Sequence, residues 1–246
     1  APLFEALVDA GVSSANVDVQ VTGTNAGLAQ LCAGSADIAL STRAITDAED
    51  VNCVNAGVTY VELLLGDVAA VVIAHPDDTF AQCLSLVNLD TIFAPSAAGQ
   101  VMTWQAIDPT AGVPLSVSVP PSDSLVTALF DSIVNGDGLR SDATVETDEQ
   151  AIVRTVAGTS GALGIVNFST ALAAGDSVKM LPLGVSDNGS CIEPSAETIS
   201  GGQYSVSERV YAYANSALLE QPQASALLAF LGTEPAATVA TEQGFL

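Results

Sequence analysis

Positive charge is what this sequence has least of. Five Lys+Arg residues and one histidine stand against 28 Asp+Glu, a net charge of −23 over 246 residues. So few scattered cations cannot form the basic stripe that a nucleic-acid backbone requires. The same imbalance excludes docking onto an anionic membrane surface. The lone His75, in "AHPDD", removes most zinc-ligand sets and would have to be the base of any serine triad. There is no GxSxG elbow, no HExxH and no Walker lysine. Carboxylate pairs sit in loop-like, solvated stretches that give no reason to choose a dyad. The chain is therefore read as non-catalytic, with no cofactor and no metal. Long apolar runs are missing too: "VAAVVIA" (68–74) is far shorter than the ~20 residues of a membrane helix. No basic leader opens the chain, so either one has been removed or none existed.

What is present is a chain long enough for a core that needs no stapling, nearly half apolar and dominated by alanine and aliphatics. Its four cysteines, Cys32, Cys53, Cys83 and Cys191, form no CxxC pair. Their even count and wide spacing suit two disulfides in an oxidising compartment; four buried thiols are the alternative. An acidic, lysine-poor surface also fits an extracytoplasmic setting, whether periplasmic, cell-surface or secreted.

Apolar strands alternate with amphipathic segments throughout, the pattern of an α/β protein. The periodicity predicts helices at 2–10, 26–33, 47–56, 125–136, 149–158, 221–231 and 235–243. It predicts strands at 17–21, 37–41, in "PLSVSV", "GALGIVN" and "RVYAYA", and two successive strands in "TYVELLLG" and "VAAVVIA". Two lobes interleaved in sequence fit this order better than a tandem pair, with 1–67 plus 207–246 expected to form one and 68–206 the other.

Three strand-to-helix junctions carry the chemistry. "TGTNAG" opens a helix, whose unpaired N–H groups suit an oxyanion, with Thr24 and Asn25 at its start. "LSTRAIT" adds Ser41, Thr42 and Arg43 after the next strand, and a guanidinium is suited to bidentate recognition of phosphate or carboxylate. A surface ion pair is the plainer use of Arg43 in so acidic a chain. "PPSDSLVTALF" places Ser122 and Ser124 at the third junction, where helix capping explains them equally well. Together they look like a crevice lined by helix N-termini at the carboxyl ends of strands.

The order of these strings resembles the substrate-binding proteins of phosphate ABC transporters, the PstS-like family, over nearly the whole chain. "GLAQLCAGSADIALSTRAIT" is similar to the segment in which a glycine-rich turn and helix lead to a "D-I-x-x-A-S-R-P-I" strand end. "CIEPSAETISGGQYSVSERVYAYAN" is similar to a "C-x-x-P-S-x-E-T-I" segment, and "GALGIVN" to a "G-A-I-G-Y" strand. The resemblance implies a two-lobed type II periplasmic-binding-protein fold, each lobe a mixed sheet flanked by helices, with an anion between the lobes. It also implies the pairings Cys32–Cys53 and Cys83–Cys191.

The departures are specific. The family's "S-G-T" at the third junction reads Ser124, Leu125, Val126; its glycine-rich turn reads Thr22 to Gly27; and Glu208 occupies an arginine position. The family's first strand has no counterpart, for which a choice of fragment, a processed terminus or a strand from a neighbouring chain are the open accounts. The expected function is an extracytoplasmic solute-binding protein for phosphate or a related tetrahedral oxyanion, closing by a hinge, with an ABC permease as an implied partner. The alternative is a repurposed extracellular structural subunit with an eroded cleft, its partners other copies of itself. Asn167 and Asn188 also lie in N-x-S sequons.

Overall fold

The computed structural model describes residues 18, 20, 22–134, 136–184, 189–220, 222–242 and 244–246. The predicted helix 2–10, most of the predicted strand 17–21 and the Asn188 sequon lie outside them. The chain forms two compact units, residues 1–67 with 208–246 and residues 68–207.

In the first unit, helix α1 (Thr24–Cys32) leads to strand β1 (Ile38–Ser41) and helix α2 (Asp47–Asn55). Thr46 and Glu49 close a reciprocal capping box at the start of α2, and Asp47, Glu49 and Asp50 place negative charge at its positive end. Strand β2 (Tyr60–Ala74) begins in this unit and ends in the other. Late in the chain come β9 (Ser207–Asn215), α8 (Pro222–Leu231) and α9 (Glu234–Glu242). β1 pairs antiparallel with β9 in the register Ile38↔Ala214 to Ser41↔Tyr211. Leu28 and Leu31 of α1 pack on Ala39 and Tyr213, with Ile45, Tyr60 and Tyr211 around them.

The expected pair of strands in "TYVELLLG" and "VAAVVIA" is a single strand, β2. The glycine–aspartate step read as a break because glycine usually punctuates. Gly66 (φ 148°) instead keeps the strand running, and a Cβ there would come within 2.7 Å of the Leu246 carbonyl. That space lets Asp67 and Leu246 exchange backbone hydrogen bonds of 3.2 and 2.9 Å.

The second unit is built on the far half of β2, where Val68 to Ala74 are all buried. Its other elements are β3 (Leu84–Ser85), α3 (Leu86–Phe93), β4 (Ser116–Val119), α4 (Leu125–Val134), β5 (Thr144–Val145), α5 (Glu149–Ala157), β6 (Ala162–Asn167), α6 (Phe168–Ala174), β7 (Lys179–Met180), β8 (Leu183–Gly184) and α7 (Ala196–Ser200). The sheet is mixed: β2 pairs antiparallel with β6 and β7, while β4 pairs parallel with β6 and β5. Phe93 and Phe130 meet edge-on at 4.9 Å, joining α3 to α4. Trp104 donates its Nε1–H to the Gly161 carbonyl at 2.9 Å. Gly161 (φ 84°) is required there, because a Cβ would fall 2.1 Å from the Pro114 carbonyl.

Both disulfides implied by the family resemblance are present, Cys32–Cys53 and Cys83–Cys191, each inside one unit. The Asn167 sequon is buried, and its side-chain oxygen caps α6 by accepting from Ser169 N–H at 2.9 Å. Material made in a glycosylating host is therefore expected to carry no glycan at Asn167. Peptide mass mapping checks this.

Candidate functional site

Gly23 precedes α1 with a positive φ (78°), and among the described residues no side chain caps the helix. The first intrahelical bond is Gly27 N–H to Gly23 O at 2.9 Å, so the amides of residues 24–26 lie before the helical ladder and have no partner among the described residues. Thr24 stands on that turn. Its hydroxyl oxygen accepts from Thr42 N–H at 3.1 Å and lies 3.3 Å from the Thr42 hydroxyl. Two hydroxyls bonded to each other use one proton between them, leaving the second to donate elsewhere.

Arg43 follows, its side chain 38% exposed. Nη1 donates to Glu49 Oε2 at 2.8 Å and to the Ala44 carbonyl at 3.0 Å; Nη2 donates to Glu49 Oε1 at 2.8 Å and to Asn25 Oδ1 at 2.5 Å. The Arg43 hydrogen bonds are the main reason the Glu49 carboxyl drops from 4.5 to about 2, assisted by the Thr46 donors against the cost of burial. Glu49 in turn raises Arg43 above its usual value. Ser41 is buried, with its hydroxyl bonded to the Arg43 carbonyl, so it faces inward. Tyr213 fixes the same loop from β9: its hydroxyl accepts from Ile45 N–H at 2.8 Å and donates to Glu62 at 2.8 Å.

In the second unit Ser124 caps α4, accepting from Thr127 N–H at 3.1 Å, and Ser122 is exposed in the turn before it. The third junction thus has its side-chain cap filled from within, unlike the first. The other cations are also engaged: Arg140 with Asp142, Arg154 with Asp148, Arg209 with Asp67, and Lys179 with the Asp78 carbonyl. Glu49 escaped the sequence reading. The only available signal was its place three residues after Thr46, which marks a capping box and says nothing about Arg43. Among the described residues no cluster of three or more His, Cys, Asp or Glu could hold a metal, and no helix is long and apolar enough to cross a membrane.

Interleaved α/β units with such junctions define the class of bilobal binding proteins. Residues 2–234 match the PBP superfamily domain, and the chain belongs to that superfamily. It is 29% identical over 191 residues to protein SphX of Synechococcus elongatus, covering 77% of this chain and 56% of the relative. It is 24% identical over 214 residues to the phosphate-binding protein PstS of Staphylococcus epidermidis, covering 86% of this chain and 62% of that one. The chain thus spans less than two thirds of either relative's length. A possible phosphate binding protein from Planctomyces limnophilus has the same fold, at a TM-score of 0.86 and 24% identity, covering 100% of this chain and 88% of the other. The chain is PstS-like, with the type II periplasmic-binding-protein fold.

Proposed function

We propose that this chain is an extracytoplasmic, non-catalytic receptor for phosphate or a closely related tetrahedral oxyanion. The observation that carries the reading is the N-terminus of α1, whose first amides have no partner among the described residues, with the paired Thr24 and Thr42 hydroxyls beside it. Free amides at a positive helix end and a spare hydroxyl proton are complementary to an oxyanion. The names of the PstS and Planctomyces relatives support phosphate as the anion. Both disulfides support an oxidising compartment. An ABC permease is proposed as the downstream partner.

Net charge of −23 slows anion encounter without forbidding binding, because contact-range donors set affinity. Isothermal titration of phosphate-stripped protein with phosphate, and separately with sulfate, tests the reading. Saturable one-to-one binding of phosphate is expected, with a loss of about tenfold or more in Thr42→Val, which removes one of the paired hydroxyls. A folded protein that is silent toward both anions overturns the reading.

A further inference from the structure

We infer that Arg43 is a positioning residue, which together with Glu49 clamps the first turn of α1 against the loop after β1, and that it is not itself the anion's ligand. This deepens the phosphate reading and rests on it. The inference comes from where the guanidinium donors go. Of the five N–H donors an arginine carries, four end on protein acceptors within this unit, two of them in a fork on one carboxylate. A bidentate pair of this kind presents almost no net charge to a third group. An incoming anion would have to displace Glu49, whose carboxylate stays ionised down to about pH 2.

The acceptors also sit where a clamp needs them. Asn25 is on the first turn of α1, Ala44 is in the loop, and Glu49 is on the first turn of α2. The opposite end of the same helix pair is closed covalently, since Cys32 is the last residue of α1 and Cys53 lies near the end of α2. The two helices are therefore joined at both ends, at their N-termini through Arg43, which bonds Asn25 of α1 and Glu49 of α2, and at their C-termini by a disulfide. Tyr213 adds a third tie by holding Ile45 N–H. The result fixes Thr24 relative to Thr42, whose hydroxyls are 3.3 Å apart and come from residues 18 positions apart in sequence. Without the clamp, α1 could fray at its N-terminal end and separate them.

The two roles for Arg43 predict opposite signs for one substitution. Glu49→Gln keeps the α2 capping box, because glutamine serves at that position as well as glutamate. It removes the charged partner while leaving Arg43 in place. A liganding Arg43 would then be freed of a competing anion, and phosphate affinity would rise. A positioning Arg43 would lose its anchor, and phosphate affinity is expected to fall about tenfold.

The experiment is phosphate titration of wild type, Glu49→Gln and Arg43→Lys at a temperature where each is fully folded, so that a general loss of stability leaves the dissociation constant unmoved. Arg43→Lys keeps the charge but not the fork, and is expected to weaken binding as much as Glu49→Gln. Equal or tighter binding in Glu49→Gln, or near-wild-type binding in Arg43→Lys, overturns the inference. Hydrogen exchange without phosphate gives a readout that does not depend on the ligand. Faster exchange confined to the first turn of α1, read at the Gly27 amide, is expected in Glu49→Gln, and unchanged protection there overturns the clamp. Wild type that binds no phosphate would instead sink the functional reading, with the exchange result still deciding the clamp.

Discussion

Asp142→Ala is expected to destabilise the second unit by about 3–5 kcal/mol, because it strands a buried guanidinium. The Arg140 side chain is only 4% exposed. Nε and Nη2 form a fork on Asp142, at 2.6 and 2.9 Å, while Nη1 donates to the carbonyls of Ile92 and Val101, each at 3.1 Å. Those carbonyls belong to the end of α3 and the loop beyond it, so one cation fastens three separate stretches of chain. Asp142 also accepts from Gly99 N–H at 2.9 Å, which loses its partner in the same substitution. Urea unfolding measures the effect as a lower midpoint at constant slope. A change below about 1 kcal/mol would mean that water reaches the guanidinium once the carboxylate is gone.

Acid provides an independent check on the same pair. Hydrogen bonds from Arg140, and then from Gly99, hold the Asp142 carboxyl well below its usual 3.8. A carboxyl whose folded value is depressed contributes stability above its unfolded value, and that contribution disappears as pH falls below it. The stability gap between wild type and Asp142→Ala is therefore widest at neutral pH and narrows on acidification below about pH 4.

Arg140 and Asp142 also show what a sequence hides. "LRSD" reads as a solvated loop, and nothing local reveals that Ile92 and Val101 wait with open carbonyls. Arg43 could be singled out because it follows an apolar strand. Its partner could not, since Glu49 lies six residues on, outside helical spacing, in a chain with 28 acids. The Tyr213 hydroxyl meets Ile45 across 168 residues, a relation no window of sequence contains. By contrast, capped helices such as α5, which opens on Asp148 and is followed by Gly158, are legible because their signals are local. Strands β3, β5, β7 and β8, of two residues each, are too short to show any period. The PstS-like family and its disulfide pairs were legible only through resemblance, because spacing leaves three pairings open.

The longer disulfide governs the other large effect. Cys83 and Cys191 are 108 residues apart in sequence, and closing a loop of that size removes about 4.7 kcal/mol of unfolded-state entropy. Among the described residues, the strand pairing beside the bridge is short. Cys83 precedes β3 and Cys191 precedes Ile192; β3 and β8 share only the pairs Leu84↔Leu183 and Ser85↔Gly184, and Leu183 bridges to Ile192. Two-residue pairings of this kind are marginal by themselves. The double substitution Cys83→Ala with Cys191→Ala is therefore expected to cost about 3–5 kcal/mol, lowering Tm by roughly 10 °C. The Cys32–Cys53 bridge, with a separation of 21, constrains the unfolded chain less, by about 1.5 kcal/mol. Denaturant slopes separate the causes. If the long bridge acts by keeping the unfolded chain compact, its removal raises the urea slope as well as lowering the midpoint. A lower midpoint at unchanged slope would place the loss in the native state, in the small β3–β8 sheet and the segment it anchors.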